Sequence, residues 1–185
     1  YSSYDSIGIT DTNKNNELII PKGGEYQVVL ADGTKVWLNS ASRLIYPQSF
    51  MGKERRVVLS GEAFFDVAHD AERPFIVETS LEEVKVFGTE FNVMAYEDEE
   101  ELQTTLVEGS VGVLMKGKMS LGFQKIVPGE QFLLNRKTGE TEIVSVDVFP
   151  YVAWKDGLFV SQNDNLETIL RRVARWFDVE IFYQN

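Results

Sequence analysis

The sequence predicts a mainly β protein, with an antiparallel two-sheet sandwich or a short stacked-sheet, solenoid-like domain followed by one β-α-β unit. Short runs of alternating apolar and polar residues recur along the chain, as expected for strands that bury one face. Turn signals built on Gly, Asp, Asn or Pro separate these runs at short intervals. A single segment near the C-terminus has the apolar spacing of an amphipathic helix.

A recurring glycine motif organises the all-β part. In RVVLSGEAFFDV (Arg56–Val67), an apolar run leads to Gly61 and alternation resumes after Glu62, which predicts a pair of strands joined at the glycine. The same plan surrounds four other glycines. Glycine allows backbone conformations that turns and bulges need and that a Cβ resists. We therefore interpret the following residues as turn architecture: Asp32, Gly33, Gly61, Glu62, Gly88, Thr89, Glu108, Gly109 and Gly129.

Composition limits the possible functions. The chain has 185 residues, of which 43% are hydrophobic, so it can form a packed core. Its formal net charge of −11 repels a phosphate backbone, and we expect no nucleic-acid partner. The absence of cysteine excludes disulfides, thiolate catalysis and Cys-based zinc sites. No apolar run approaches the roughly 18 residues of a membrane span, so we expect a soluble piece of a longer protein.

Three segments are expected along the chain. Residues 1–21 are polar and predict a linker or arm, with a short edge strand at Leu18–Ile20. Residues 22–149 carry the all-β pattern. Residues 150–185 differ in character and predict an incomplete module with one helix.

The predicted helix begins at Asp164, which forms a capping-box-like start with Glu167. Strands are expected on both sides, at Leu158–Ser161 and Val179–Tyr183. A single β-α-β unit cannot bury both faces of its sheet, and its unpaired edge can recruit a strand from another protein. One apolar stripe follows the helix: Leu166, Ile169, Leu170, Val173, Trp176 and Phe177.

This incomplete unit supplies the candidate partner-binding residues. The members on the predicted strands are Leu158, Val160, Val179, Ile181 and Tyr183. Arg171, Arg172 and Arg175 lie opposite the apolar stripe, where they either meet an acidic partner or form a solvated face, and the solvated face is favoured. The acidic run Glu97–Glu101 lacks the spacing of a calcium loop and is expected to be a solvated hairpin tip.

No catalytic motif is present, and we expect neither an enzyme nor a cofactor or metal site. His69 is the single histidine, and its loop sequence predicts an ordinary surface residue. One alternative is a carbohydrate-binding or glycan-processing β-sandwich, with tryptophans on a sugar-binding face or two carboxylates facing each other. A second alternative is a structural domain of a surface assembly.

Six motifs, in order, resemble the periplasmic region of FecR-type anti-sigma factors. They are LADGTKVWLNSASRLIYP (Leu30–Pro47), RVVLSGEAFFDVAHD (Arg56–Asp70), RPFIVET (Arg73–Thr79), FGTEFNVMAY (Phe87–Tyr96), TTLVEGSVGVL (Thr104–Leu114) and VPGEQ (Val127–Gln131). The similarity runs from about Lys22 to Asn185. The tail from Trp154 resembles the start of the family's C-terminal module, which is similar to the short N-terminal domain of secretins and TonB receptors.

The resemblance implies a signal relay in the periplasm. The periplasmic signalling domain of a TonB-dependent outer-membrane receptor would contact this region, and the parent protein, anchored in the inner membrane, would then release or activate an ECF-type sigma factor. The sigma-binding helices, the membrane span and the second β-α-β unit of the family are absent from this sequence. Contact with the sigma factor would therefore occur only through the missing cytoplasmic region. The family has no catalytic residues to transfer.

Overall fold

The computed structural model describes residues 15–118, 122–162 and 164–182, and this part of the chain contains thirteen strands. The strands are β1 (Asn15–Ile19), β2 (Tyr26–Val29), β3 (Lys35–Leu38), β4 (Arg43–Pro47), β5 (Arg55–Asp66), β6 (Phe75–Glu78), β7 (Glu82–Val86), β8 (Glu90–Ala95), β9 (Glu101–Glu108), β10 (Val111–Met115), β11 (Gln124–Ile126), β12 (Glu130–Asn135) and β13 (Thr141–Ser145).

These strands form two sheets that share β5. Sheet 1 has the order β1-β4-β5-β6-β7-β10-β11, and sheet 2 has the order β2-β3-β5-β8-β9-β12-β13. Within the described residues, β5 and β6 pair in parallel and all other neighbours are antiparallel. The prediction of a mainly β, two-sheet domain is confirmed.

Strand β5 connects the two sheets. Its first half pairs with β4 and β6 in sheet 1, and its second half pairs with β3 and β8 in sheet 2. The predicted strand pair joined at Gly61 is therefore wrong, because the chain bends there and continues as one strand. Gly61 has φ +94°, and a Cβ at this position would lie 2.5 Å from the Ser42 hydroxyl oxygen and 2.7 Å from the Ser42 Cα. Only glycine fits this bend without displacing Ser42.

The other motif glycines also lie where the chain changes direction. Gly33 lies in the β2–β3 hairpin, whereas Gly88, Gly109 and Gly129 lie where the chain crosses from one sheet to the other. A Cβ on Gly88 would lie 2.6 Å from Nδ1 of His69, so the loop between β5 and β6 can approach only a glycine here. Next to these crossings, Thr89 donates a hydrogen bond to the Ser110 carbonyl, 3.1 Å away, and Glu108 ends β9 in an exposed position.

The hydrophobic core lies between the two sheets. Its largest side chains are four fully buried phenylalanines, and the rings of Phe65 and Phe91 stack with their centroids 5.1 Å apart. The four residues are Phe65, Phe75, Phe91 and Phe132. Because they belong to strands of both sheets, they fix the separation of the two layers.

Arg55 is buried at the edge of this core with 1% of its surface exposed. Its guanidinium group pairs with the Asp32 carboxylate at 2.9 Å and donates to the carbonyls of Ala68, at 2.7 Å, and Arg73, at 2.9 Å. Asp32 also accepts hydrogen bonds from the backbone and side chain of Thr34. Asp32 is therefore the counter-ion of a buried arginine as well as a turn residue.

Glu82 is a second ionisable group in the interior. It begins β7 in sheet 1 and accepts a 2.7 Å hydrogen bond from the Thr104 hydroxyl of β9 in sheet 2. Burial raises the pKa of its carboxyl group to about 7, although the Thr104 hydrogen bond and the charge of Arg136 act in the opposite direction. The two sheets are thus joined by a carboxyl group that titrates near neutral pH.

The C-terminal part contains α1 (Phe149–Val152), a 3₁₀ turn (Ala153–Asp156) and α2 (Leu166–Phe177). Helix α2 is capped by Asn165, whose side chain accepts from the Thr168 N–H at 2.8 Å, and not by Asp164 as predicted. None of the described helices is both long and apolar enough to span a bilayer.

The strands predicted on both sides of α2 are wrong for the described residues, because Leu158–Ser161 and 179–182 form no ladder. Two short strands alone do not make a stable sheet, which explains why this segment stays unpaired. Tyr183 lies outside the described residues. At the other end, β1 begins at Asn15, earlier than the predicted edge strand, and pairs with β4.

The Gly61 bend predicts a specific loss of stability. Gly61→Ala should destabilise the fold by about 2–4 kcal/mol, because it combines an unfavourable φ with a clash against Ser42. Gly117→Ala is the matched control: its φ is +81°, but no atom lies within 4 Å of the new Cβ. It should cost about 1 kcal/mol. Urea unfolding measures both, and equal losses would contradict the role of the Ser42 contact.

Glu82 predicts a pH-dependent stability. Its pKa is 4.5 in the unfolded chain and about 7 in the folded protein. The folded state therefore binds more protons in this window, and the contribution of Glu82 to stability decreases as pH rises through it. Lowering the pH from about 8 to about 5 should stabilise the wild type through Glu82 by up to about 3 kcal/mol.

In the Glu82→Gln variant, a large part of this gain on acidification should disappear. Glu78→Gln is the control, because hydrogen bonding to Lys116 lowers the pKa of Glu78 and its removal should not reduce the gain. Thermal unfolding at both pH values measures the difference between each variant and the wild type. An unchanged pH dependence in Glu82→Gln would show that this carboxyl group titrates in the ordinary range.

Candidate partner-binding site

The C-terminal segment, residues 149–162 and 164–182, lies against the outer face of sheet 2. One row of side chains on this face runs across five paired strands, and it combines two aromatic with three polar residues: Trp37, Phe64, Asn92, Thr105 and Gln131. Trp154 of the 3₁₀ turn covers the centre of the row and is buried. Its indole N–H donates to the Asn92 side-chain oxygen at 3.2 Å. Trp154 therefore anchors the segment to the sheet.

Glu62 lies beneath this segment. Its carboxylate accepts hydrogen bonds from the side-chain amides of Asn39, at 2.8 Å, and Asn92, at 2.9 Å. Burial raises the pKa of Glu62, while these hydrogen bonds and the charges of Arg172 and Arg175 oppose the rise. The interpretation of Glu62 as a turn residue is wrong: it lies within β5 and faces the C-terminal segment.

A small cavity of about 50 Å³ separates Glu62 from the helices. Its lining includes Asn92, Trp154, Arg172 and Trp176. A volume of this size holds a few water molecules, since one water needs about 10–15 Å³. The cavity is therefore part of a polar interface between sheet and helix.

Helix α2 is attached through its arginines. Arg171 pairs with Glu99 at 3.0 Å, and Arg175 pairs with Asp98 at 2.9 Å and also with Glu99. The Arg175 guanidinium carbon lies 4.1 Å from the centre of the Tyr96 ring. Burial opposes the charge on Arg175, but the hydrogen bond and charge of Glu99 outweigh this, and its pKa is raised. We call this group, Tyr96, Asp98, Glu99, Arg171 and Arg175, the arginine–acid contact.

The arginine–acid contact corrects two expectations. Arg175 and Glu99 are only 7% and 5% exposed, so neither a solvated helix face nor a solvated acidic tip describes them. The acidic run between β8 and β9 and the basic face of α2 instead bind each other within one chain. The C-terminal end of α2 is held as well, since the Gly23 N–H donates to the Arg175 carbonyl at 2.9 Å.

The predicted apolar stripe of α2 is exposed at its two ends, whereas its middle residues, Ile169, Leu170, Val173 and Trp176, are partly buried. Leu166 is 69% exposed and Phe177 is 61% exposed. Among the described residues of α2, Arg175 is the one that is fully buried. The tail beyond the helix continues this surface, with Val179 43% and Phe182 86% exposed. The two ends of the stripe and the tail therefore leave apolar side chains available for contact.

Most of the predicted site residues lie in the C-terminal segment. Leu158 is about half exposed, Val160 and Ile181 are partly exposed, and Val179 belongs to the exposed apolar surface. Arg172 pairs with Asp164 at 2.9 Å and lines the small cavity. Their assignment to a partner surface stays a prediction.

Sequence reasoning missed the acidic residues as internal partners of α2. Arg171 and Arg175 are four residues apart and therefore lie on one face of the helix, which was a usable signal. Asp98 and Glu99, however, lie more than seventy positions earlier in the chain. Nothing local in the sequence connects the two groups. Trp154 and Asn92 were missed for the same reason.

The tryptophans act as packing residues around this site. Trp37 contacts Phe64 edge-on with the ring centroids 5.6 Å apart, and Trp176 contacts Phe159 edge-on with the ring centroids 5.8 Å apart. With Trp154 buried, the three do not form an exposed row of the kind that the glycan-binding alternative requires. Among the described residues, no group of three His, Asp or Glu side chains is placed to hold a metal ion.

Comparison with known proteins agrees with the sequence motifs. Residues 16–112 match the family model described as FecR protein. A crystal structure of a proposed anti-sigma factor from Parabacteroides distasonis ATCC 8503 at 2.50 Å is 32% identical with a TM-score of 0.85, over 90% of this chain and 76% of that chain. A second crystal structure of a proposed anti-sigma factor from the same organism, at 1.65 Å resolution, is 33% identical with a TM-score of 0.84, over 89% of this chain and 76% of that chain.

No curated protein matches the chain. The family match covers more than half of the sequence, and both solved structures share the fold at more than 30% identity. The resemblance inferred from the six motifs is confirmed. The chain belongs to the FecR protein family.

Proposed function

We propose that this chain is the periplasmic signal-relay region of a membrane-anchored anti-sigma factor, and that its C-terminal segment binds the periplasmic signalling domain of a TonB-dependent receptor. The contact controls an ECF-type sigma factor, which binds a cytoplasmic region of the parent protein. The role is regulatory and requires no catalysis. The family and the anti-sigma relatives support this proposal.

The exposed apolar residues at the two ends of α2 and in the tail are the observation that carries the proposal. Helix α2 is tied to the β domain by ion pairs, while Leu166, Phe177 and Phe182 extend into solvent. An amphipathic helix whose apolar face is free can bind a groove of another protein. Exposing such a surface costs free energy that binding recovers.

The segments on both sides of α2 support a second element of the contact. Leu158–Ser161 and residues 179–182 have no ladder partner in the described part of the chain, and Leu158, Phe159 and Val179 are exposed. Unpaired extended backbone can pair with a strand of another protein. The receptor domain would then bind by strand addition and by contact with the helix.

A binding assay with the receptor's signalling domain tests the proposal. The periplasmic region of the parent protein should retain that domain in a pull-down. The double variant Leu166→Asp, Phe177→Asp should weaken the interaction at least about tenfold, because it places charges on the apolar face. Met51→Asp is the matched control, since Met51 is 76% exposed but lies in the β4–β5 connection.

The outcomes separate the receptor contact from general effects. Equal binding by the double variant and the control would place the contact elsewhere on the molecule. Failure of the wild-type periplasmic region to bind the receptor domain would contradict the proposed partner.

The arginine–acid contact predicts how firmly α2 is held. Glu99→Gln removes the charge shared by Arg171 and Arg175 and should weaken attachment of the helix by about 1–3 kcal/mol, because Arg175 is left buried beside Asp98 alone. Amide hydrogen exchange in Leu166–Phe177 should accelerate about tenfold or more. Glu97→Gln, at an exposed neighbouring acid, should leave exchange nearly unchanged. Equal exchange rates in the two variants would show that other contacts hold the helix.

A further inference from the structure

The outer face of sheet 1 carries a cleft that the proposed relay does not use. Lys85 of β7, Gly112 of β10 and Lys125 of β11 are direct register partners, so they form one row across three neighbouring strands. Because Gly112 has no side chain, the surface of the sheet is depressed at the centre of this row. The result is a cleft of about 410 Å³. It lies on the face of the domain opposite to the C-terminal segment.

Two aromatic rings border this cleft. Phe87 is 41% and Phe123 is 47% exposed. The Lys85 ammonium lies between them, 5.7 Å from the centre of the Phe87 ring and 5.5 Å from that of Phe123. Phe123 also packs against Gly112, where a Cβ would lie 3.3 Å from its ring. Two partly exposed aromatic rings thus flank the Lys85 ammonium group. We call this depression of the surface the Phe87–Phe123 cleft.

The electrostatics of this cleft differ from those of the whole protein. The chain has a net charge of −11, but the described residues that line the cleft include Lys85, Lys125 and His69 and no carboxylate. Within the described residues, neither lysine forms an ion pair with an acid. Arg56 and Lys116 on the same sheet are instead neutralised by glutamates.

We propose that the Phe87–Phe123 cleft binds a short acidic segment of a partner protein. Its carboxylates pair with Lys85 and Lys125, and an apolar side chain next to them packs against the exposed surface of the Phe87 or Phe123 ring. The charge of the cleft selects the acidic groups, and the exposed rings supply the apolar contact area. This inference concerns a different face and does not depend on the proposed receptor contact.

The overall charge favours a short peptide over larger anions. A nucleic acid or an anionic membrane extends well beyond the cleft, and the net charge of −11 of the chain repels it. Two free lysines supply too few phosphate contacts to offset that repulsion. A peptide of a few residues places its charges inside the cleft alone. The cleft is also open at the side, because β11 is the last strand of sheet 1.

Selection from a random library of peptides of about twelve residues tests the proposal with the whole chain as bait. Selected peptides should be enriched in Asp and Glu next to an aromatic or aliphatic residue. Their affinity should fall about tenfold or more for the double variant Lys85→Gln, Lys125→Gln. Lys53→Gln is the control, because Lys53 is exposed in a turn away from the cleft.

Each alternative result has a defined meaning. No acidic enrichment, or equal binding to the double variant and the wild type, would overturn the proposal. Vesicles of phosphatidylglycerol and phosphatidylcholine are tested in parallel. Lysine-dependent binding to these vesicles, without selection of acidic peptides, would show that the cleft recognises a membrane surface and would also overturn it.

Discussion

The architecture depends on a steric constraint at the points where the chain passes between its two layers. At Gly61 the backbone of β5 lies so close to Ser42 that a side chain does not fit, and the strand can bend without losing its pairing on either side. The bend lets a single strand belong to both sheets, so that one set of phenylalanines fills the space between them. At the Gly88 crossing, close contact with His69 imposes the same requirement. The alignment of the core thus depends on close backbone contacts as well as on side-chain packing.

The outer face of sheet 2 links this architecture to function. The polar members of its row would be costly to bury without partners: Gln131 bonds Thr105 within the sheet, and Trp154 of the C-terminal segment bonds Asn92. The arginines of α2 pair with Asp98 and Glu99 next to this row. Ion pairs through Arg171 and Arg175 hold α2 in its orientation. In this orientation the middle of the apolar stripe is partly buried, and Leu166 and Phe177 at its ends remain exposed. These exposed ends are the physical basis of the proposed contact with a receptor.

Periodicity and glycine placement were sufficient to predict a two-sheet β domain, because both are local properties of the sequence. The FecR resemblance came from the six motifs that the chain shares with that family. They could not distinguish a hairpin from a bent strand at Gly61, since alternation is the same on both sides. The cap of α2 was misplaced by one residue because Asp164 and Asn165 are both good N-caps. The pairing of Arg175 with Glu99 connects positions far apart in sequence and depends on tertiary structure alone. The predicted strands beside α2 had suitable residues but no neighbours to pair with.

From β6 onward the chain adds two strands to sheet 1, then two to sheet 2, and repeats this order through β13. Each pair of strands contacts chiefly the pair placed before it in the same sheet, as successive coils do in solenoid proteins. Two strands of sheet 1 and the next two of sheet 2 thus form one coil, and a fold of this kind can lengthen or shorten by whole coils without rebuilding its interior. Duplication or deletion of one coil therefore offers an evolutionary route by which related domains come to differ in size while the shared strand β5 stays intact.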